Sequence, residues 1–244
     1  MQIFGKYATT FENEYLTQHF VYINSDEEKI SIDELKEMLK KKRKTVAGTM
    51  ILYNPCIAPI GYNTDSTLAE QDFKFDDNFH ELIPTNIHHL MYQSMKKEYK
   101  GKLIEVKYLF NLNISDVQTT SIVDKFEIDL DRYTSDQLTI FDRELNYQDY
   151  LNIRLTGKFV FFGSGHKYDK EYINTYTYTK NLAKQAEKLG KKVVYIHDRN
   201  YNEDECIEQA YFLDPIATGK ARTTRATAFK KIFSTNPPEI QRLD

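Results

Sequence analysis

Residues 49–68, TMILYNPCIAPIGYNTDSTL, decide how the chain is read. Met50-Ile51-Leu52-Tyr53 is a short apolar run of a length that suits a buried strand. Asn54-Pro55 stops it, because proline cannot donate to a sheet ladder and drives the preceding residue out of the helical region. A loop with Pro59, Gly61 and Asn63 follows, and Asp65-Ser66-Thr67 offers side chains that can cap a helix. Asn54, Asn63 and Asp65 then lie beyond the carboxyl end of a strand, where open α/β sheets build their sites. The same residue types also make ordinary turns.

Working outward, the pattern repeats. Toward the N-terminus, Gln2–Phe4 with Tyr7 and His19–Ile23 are two β-like runs that suit a hairpin or an edge pair. Ser31 and Glu34 have the spacing of a capping box ahead of a helix with Ile32, Leu35, Met38 and Leu39 on one face, running into Lys40–Lys44. Toward the C-terminus, Asn86 reads as the cap of a helix carrying Ile87, Leu90, Met91 and Met95. Residues 102–113 read as a strand with Asn111 and Asn113 at its end, and residues 137–152 as a helix. Lys158–Phe162 is a third strand, closed by Gly163-Ser164-Gly165, a turn that lets the backbone approach a ligand or a helix. Tyr172–Leu189 carries a helical stripe with Gly190 as its stop. Lys192–His197 is a β-branched and aromatic fourth strand. Residues 204–213 and 224–233 read as further helices, the last inside a basic, Thr-rich tail.

Strands alternating with helices imply parallel pairing through right-handed crossovers. The expected architecture is a three-layer α/β/α domain with a four-stranded parallel sheet over residues 46–244, ending in the basic tail. Residues 1–45 form an N-terminal extension of hairpin and helix. Such a sheet gathers Asn54, Asn111, Gly163 to His166 and His197-Asp198 along one edge.

Composition bounds the function. A chain of 244 residues can bury a full core, and no apolar run approaches the roughly 18 residues of a membrane span. Without a basic-then-apolar leader pattern the expectation is a cytoplasmic protein with no membrane partner. Cys56 and Cys206 are too few and too isolated for a disulfide framework or a zinc cluster. The formal net charge is −3, yet cations cluster at 40–44, at 96–102 and in the tail at Lys220, Arg222 and Arg225, which leaves room for a locally basic face. No Walker motif or nucleophile elbow occurs, His88-His89 lacks ligand spacing, and neither cofactor nor metal is expected. Glu105-Val106-Lys107 matches half of a nuclease site, but no Asp stands at the usual distance before it.

The order of motifs resembles a domain family of unknown function carried by bacteria, phages and mobile elements. Its leading motif, Leu-Asn-Pro-Ser-x-Ala followed by Asp-x-Thr, is similar to Leu52-Tyr53-Asn54-Pro55-Cys56-Ile57-Ala58 followed by Asp65-Ser66-Thr67. The later strand ends, Leu109-Phe110-Asn111 and Phe159-Val160-Phe161-Phe162-Gly163-Ser164-Gly165, keep the family's order. That family is distantly similar to the uracil-DNA glycosylase superfamily, with a four-stranded parallel sheet between helices. The resemblance covers residues 46–200 and implies catalytic roles for Asn54 and Asp65, base stacking by Phe110 and base reading by Asn111. It places Gly163, Ser164, Gly165 and His166 around the pocket or a phosphate. DNA is the implied partner and a protein partner stays open; the tail lies outside the resemblance, and its charge alone makes Lys220, Arg222 and Arg225 the expected DNA contacts. The superfamily's late His-Pro-Ser-Pro type loop is missing. Ser234–Pro238 is the nearest text and has no His. Two other readings remain: a non-catalytic binding module of the same fold, and a nucleotide-binding or nucleotide-cleaving α/β domain using Gly163-Ser164-Gly165.

Overall fold

The computed structural model describes residues 1–9, 15–24, 28–52, 79–95, 97–108, 155–163, 173–197, 212–216 and 221–243. In chain order the elements are β1 (Gln2–Thr9), β2 (Tyr15–Ile23), α1 (Ile32–Lys40), α2 (Lys42–Thr45), β3 (Val46–Leu52), β4 (His80–Glu81), α3 (Asn86–Met95), β5 (Lys102–Tyr108), β6 (Phe159–Gly163), α4 (Ile173–Lys188), β7 (Lys192–His197), α5 (Ala221–Ile232) and β8 (Gln241–Arg242). All eight strands form one sheet in the order β4-β1-β2-β5-β3-β6-β7-β8.

The four strands expected to be parallel are adjacent and parallel: β5 pairs with β3, β3 with β6, and β6 with β7. The sheet does not stop there, as a four-stranded reading requires. β2 pairs antiparallel with the free edge of β5, β1 closes the hairpin onto β2, and β4 adds to β1. At the other side β8 pairs in parallel with Ile196 and His197. An uncovered β5 or β7 would present a row of unpaired amides and carbonyls, which the extra strands satisfy.

Strand alternation splits the core between two faces. On one face, Val21, Met50, Ile104, Val106, Phe161 and Val194 pack beneath Ile87, Leu90, Met91 and Met95 of α3 and Phe229 and Ile232 of α5. Phe161 meets Phe229 edge-on with centroids 5.1 Å apart, a favoured geometry for aromatic pairs. The other face holds two separate apolar groups. Phe4, Phe20, Tyr22 and Leu103 pack with Leu35 of α1. Ile51, Val160, Phe162 and Tyr195 pack with Leu182, Ala183 and Ala186 of α4. Helices therefore cover both faces.

The local signals act as the sequence implies. The Ser31 hydroxyl accepts the Glu34 N–H at 3.2 Å, and the Glu34 carboxylate accepts the Ser31 N–H at 2.7 Å. Both bonds of the capping box form, a feature worth about 1 kcal/mol. The helix stops at Lys41, and the short α2 carries the chain to β3, which begins at Val46 rather than at residue 49. Asn86 is the first helical residue of α3 rather than its cap; the Thr85 carbonyl accepts the His89 N–H at 3.1 Å. Phe212 and Leu213, read as the end of a helix, are not helical. The expected helix at 137–152 and the strand continuation at 109–113 lie outside the described residues.

Candidate functional site

The last residue of β3, Leu52, is in register with Tyr108 of β5 on one side and Gly163 of β6 on the other. Neighbouring strands lie about 4.8 Å apart, so the backbones leave these three ends within about 10 Å of one another. From β3 the chain crosses to β5 on one side, and β6 and β7 are laid down on the other. The connections diverge between β3 and β6. In open α/β sheets the crevice forms outside the carboxyl ends of the strands at such a switch point.

Asn54, Asp65, Phe110, Asn111, Ser164, Gly165, His166 and Lys220 lie outside the described residues. Gly163, Arg222 and Arg225 lie within them. Gly163 is buried, and its lack of a side chain is a packing demand. A Cβ there would sit 2.5 Å from the Phe161 ring edge and 3.0 Å from Cδ of Pro215. Arg222 and Arg225 are three residues apart on α5 and share one side of it. Arg222 is exposed and Arg225 half-buried. Arg225 Nη1 donates to the carbonyl of Asp214 at 3.4 Å, and its buried Nε has no hydrogen-bond partner.

That carbonyl belongs to a residue the sequence reading passed over. Residues 212–216 cross the carboxyl ends of β6 and β7. Phe212 packs on Phe162 and Tyr195 at 5.4 and 5.5 Å between centroids, and Pro215 reaches Gly163. Asp214 is thereby set beside the switch point. Its Oδ1 accepts the Ile216 N–H at 2.7 Å. Burial pushes its carboxyl up to about 6, against the opposing pull of that hydrogen bond and of the nearby Arg225 charge. A carboxyl that changes charge near neutrality at a strand-end crevice is suited to moving protons. Asp-Pro reads in sequence as a plain turn, and nothing in the residues announces its burial.

The Glu105-x-Lys107 half-motif sits on β5 with both side chains on one face. Glu105 is 1% exposed. Lys107 Nζ lies 3.5 Å from Glu105 Oε1, and the Thr156 hydroxyl donates to Oε2. Among the described residues no group of three or more His, Cys, Asp or Glu could hold a metal ion. On these contacts the pair ties β5 to the residues leading into β6. His88 is a core residue facing His19, while His89 is exposed. No helix among the described residues is long and apolar enough to cross a membrane.

No protein-family model, curated protein or solved structure matches the chain.

Proposed function

We propose that the chain is a DNA-base glycosylase-like protein that hydrolyses the N-glycosidic bond of uracil or a modified base, with β5-β3-β6-β7 as a glycosylase-like core. The observation that supports this reading is the register that sets Leu52 between Tyr108 and Gly163. Asn54, Phe110 and Ser164 follow those residues by two, two and one positions. A base must leave the duplex to be attacked, and an aromatic face with an amide beside it recovers part of the unstacking energy. In this scheme Phe110 stacks on the extruded base and Asn111 reads its polar edge. Residues 163–166 line the pocket, and Asn54 orients the attacking water. An amide positions water but is a poor base. The developing positive charge on the sugar therefore carries most of the reaction and is stabilised by nearby negative charge such as Asp65. Asp214, titrating near 6, is a proton acceptor at the same edge that the sequence motifs do not supply.

The runner-up is a non-catalytic nucleic-acid- or protein-binding module of the same fold, favoured by the missing His-containing loop. Strand scission after alkali, on oligonucleotides carrying uracil and several modified bases, separates the two. The proposal expects release of at least one base, abolished by Asn54→Ala in a protein whose melting temperature is unchanged. DNA binding with a steep salt dependence and no base release selects the module. A melting temperature raised by nucleotides but not by DNA selects the nucleotide-binding reading.

A further inference from the structure

The edge opposite the strand ends carries its own chemistry. Each of the four central strands begins with cations. Residues 40–44 are all Lys or Arg and lead into β3. Lys97 and Lys100 precede β5, whose first residue is Lys102. Lys158 immediately precedes β6, and Lys188 and Lys191 precede β7, which opens on Lys192. In sequence these are scattered runs. Because the strands are parallel and adjacent, the fold sets their starts side by side. Lys102 Nζ donates to the Lys44 carbonyl at 3.2 Å, and Lys158 N–H to the Ala47 carbonyl at 2.7 Å. The Lys192 N–H donates to the Lys158 carbonyl at 2.9 Å. Lys191 Nζ donates to the Gly157 carbonyl, and its pKa is lowered first by burial and then by the charge of Arg43. A fifth cationic region, the end of α5 with Lys230 and Lys231, reaches the same end, where the Tyr99 hydroxyl donates to the Thr235 carbonyl at 3.3 Å.

Part of this charge has a local explanation. Lys40 and Lys188 sit in the last turns of α1 and α4, where cations suit the helix dipole, and Lys40 is paired with Glu37. Lys100, Lys158 and Lys192 have no such role; these three and Lys102, whose ammonium meets a carbonyl at the end of α2, are all exposed. The acids within the strand-leading segments 40–44, 97–102, 157–158 and 187–192 are Glu98 and Glu187. A chain with formal net charge −3 thus concentrates like charge on one edge, an arrangement that repels itself and draws in a polyanion.

We propose that this edge binds the sugar–phosphate backbone of a nucleic-acid duplex, the lysines at the starts of β5, β6 and β7 contacting successive phosphates. Strand spacing of about 4.8 Å makes the four strand starts a rigid row roughly 15 Å long. Duplex DNA carries one negative charge per about 1.7 Å of axis, enough to meet every cation in such a row. An anionic membrane is the weaker fit, because surface-bound segments insert bulky apolar side chains. The chain has no Trp, and of the exposed large apolar residues described, Ile83, Leu189 and Ile240, Leu189 adjoins these lysines in sequence. The inference does not depend on base release.

The test is fluorescence anisotropy of the full chain with a labelled 20-base-pair duplex across a salt series, in parallel with sedimentation on phosphatidylserine vesicles. The wild-type protein is expected to bind the duplex more tightly than the vesicles. Lys100→Glu/Lys158→Glu/Lys192→Glu, checked for unchanged melting temperature, should weaken binding at least about tenfold and lower the log–log salt slope by about 2–3. Should charge reversal unfold the protein, the same three positions as Gln carry the test. Unchanged duplex affinity in a folded triple variant, absence of duplex binding by the wild type, or preference for the vesicles would each overturn the proposal.

Discussion

The imidazoles of His19 on β2 and His88 on α3 face each other inside the core, with ring centroids 6.1 Å apart. Both are buried. The Thr85 N–H donates to Nδ1 of His88 at 3.1 Å, which leaves the proton of the neutral ring on Nε2. That Nε2 is buried without a hydrogen-bond partner. Burial, and then the charge of His88, lowers His19 to about 3; burial, and then the charge of His89, lowers His88 to about 4.

The folded-state values lie below the unfolded value near 6.5, so the unfolded chain binds more protons between these limits. The histidine contribution is complete above about pH 6.5 and is lost as the pH falls toward 4. Urea unfolding at pH 7 and pH 4.5 should show a loss approaching 1.4 kcal/mol per proton per pH unit. His88→Leu should remove about one proton of that dependence.

Asp214 acts with the opposite sign. Its folded value of about 6 exceeds its ordinary 3.8, so its contribution is complete below about pH 3.8 and is lost as the pH rises through 6. At pH 7 the ionised carboxyl is a cost to the fold. Asp214→Asn should therefore raise stability at pH 7 by about 1–3 kcal/mol and change it little at pH 4. If the carboxyl takes part in base release, the same variant should lose activity while gaining stability, the trade-off found where a site strains its fold. Thermal melts and base-release assays on one preparation read both.

Gly101 and Gly157 both hold positive φ, +72° and +77°, but differ in the space around them. At Gly101 nothing lies within 4 Å of an added Cβ. At Gly157 the Cβ would sit 2.3 Å from the carbonyl carbon of Ala47 and 2.4 Å from the Gly48 nitrogen. Backbone cannot give way as a flexible side chain can. Gly101→Ala should cost about 1 kcal/mol from conformation alone, whereas Gly157→Ala should cost at least about 3 kcal/mol. Denaturant midpoints of the two variants make the comparison.

What the residues announce in advance is local. Ser31 with Glu34, the stripe Ile87–Leu90–Met91–Met95, the Gly190 stop and the β-rich Lys192–His197 each occur where their short-range signals place them. The strand ends at Leu52 and Gly163 are legible for the same reason, since Pro55 and the glycine turn punctuate them. β4 and β8 are not legible, because two-residue strands carry no periodicity and are fixed by partners 75 and 77 positions away for β4 and 45 positions away for β8. Asp214 escapes notice because its burial depends on Pro215 meeting Gly163, a contact between distant segments. The lysines of the basic edge are visible as letters, but parallel pairing alone makes them neighbours.

Glu105 and Lys107, legible in sequence only as half of a nuclease motif, lie between the apolar groups packed with α1 and α4. The Thr49 hydroxyl donates to the Thr156 carbonyl and accepts the Thr156 N–H, both at 3.0 Å, while the Thr156 hydroxyl donates to Glu105. Four side chains thus link β5, β3 and the segment before β6. Removing one partner of a buried ion pair strands the other charge, so Glu105→Ala should cost about 3–5 kcal/mol. Glu105→Leu with Lys107→Met removes both charges and fills similar volume. It should recover most of that loss, because the desolvation of the pair disappears with it. Chemical denaturation of the single and double variants decides. A double variant no more stable than Glu105→Ala would place the stabilisation in the Thr156 bond rather than in the charge pair. Magnesium-dependent DNA cleavage lost in a stably folded Glu105→Gln protein would instead restore the nuclease reading of this motif.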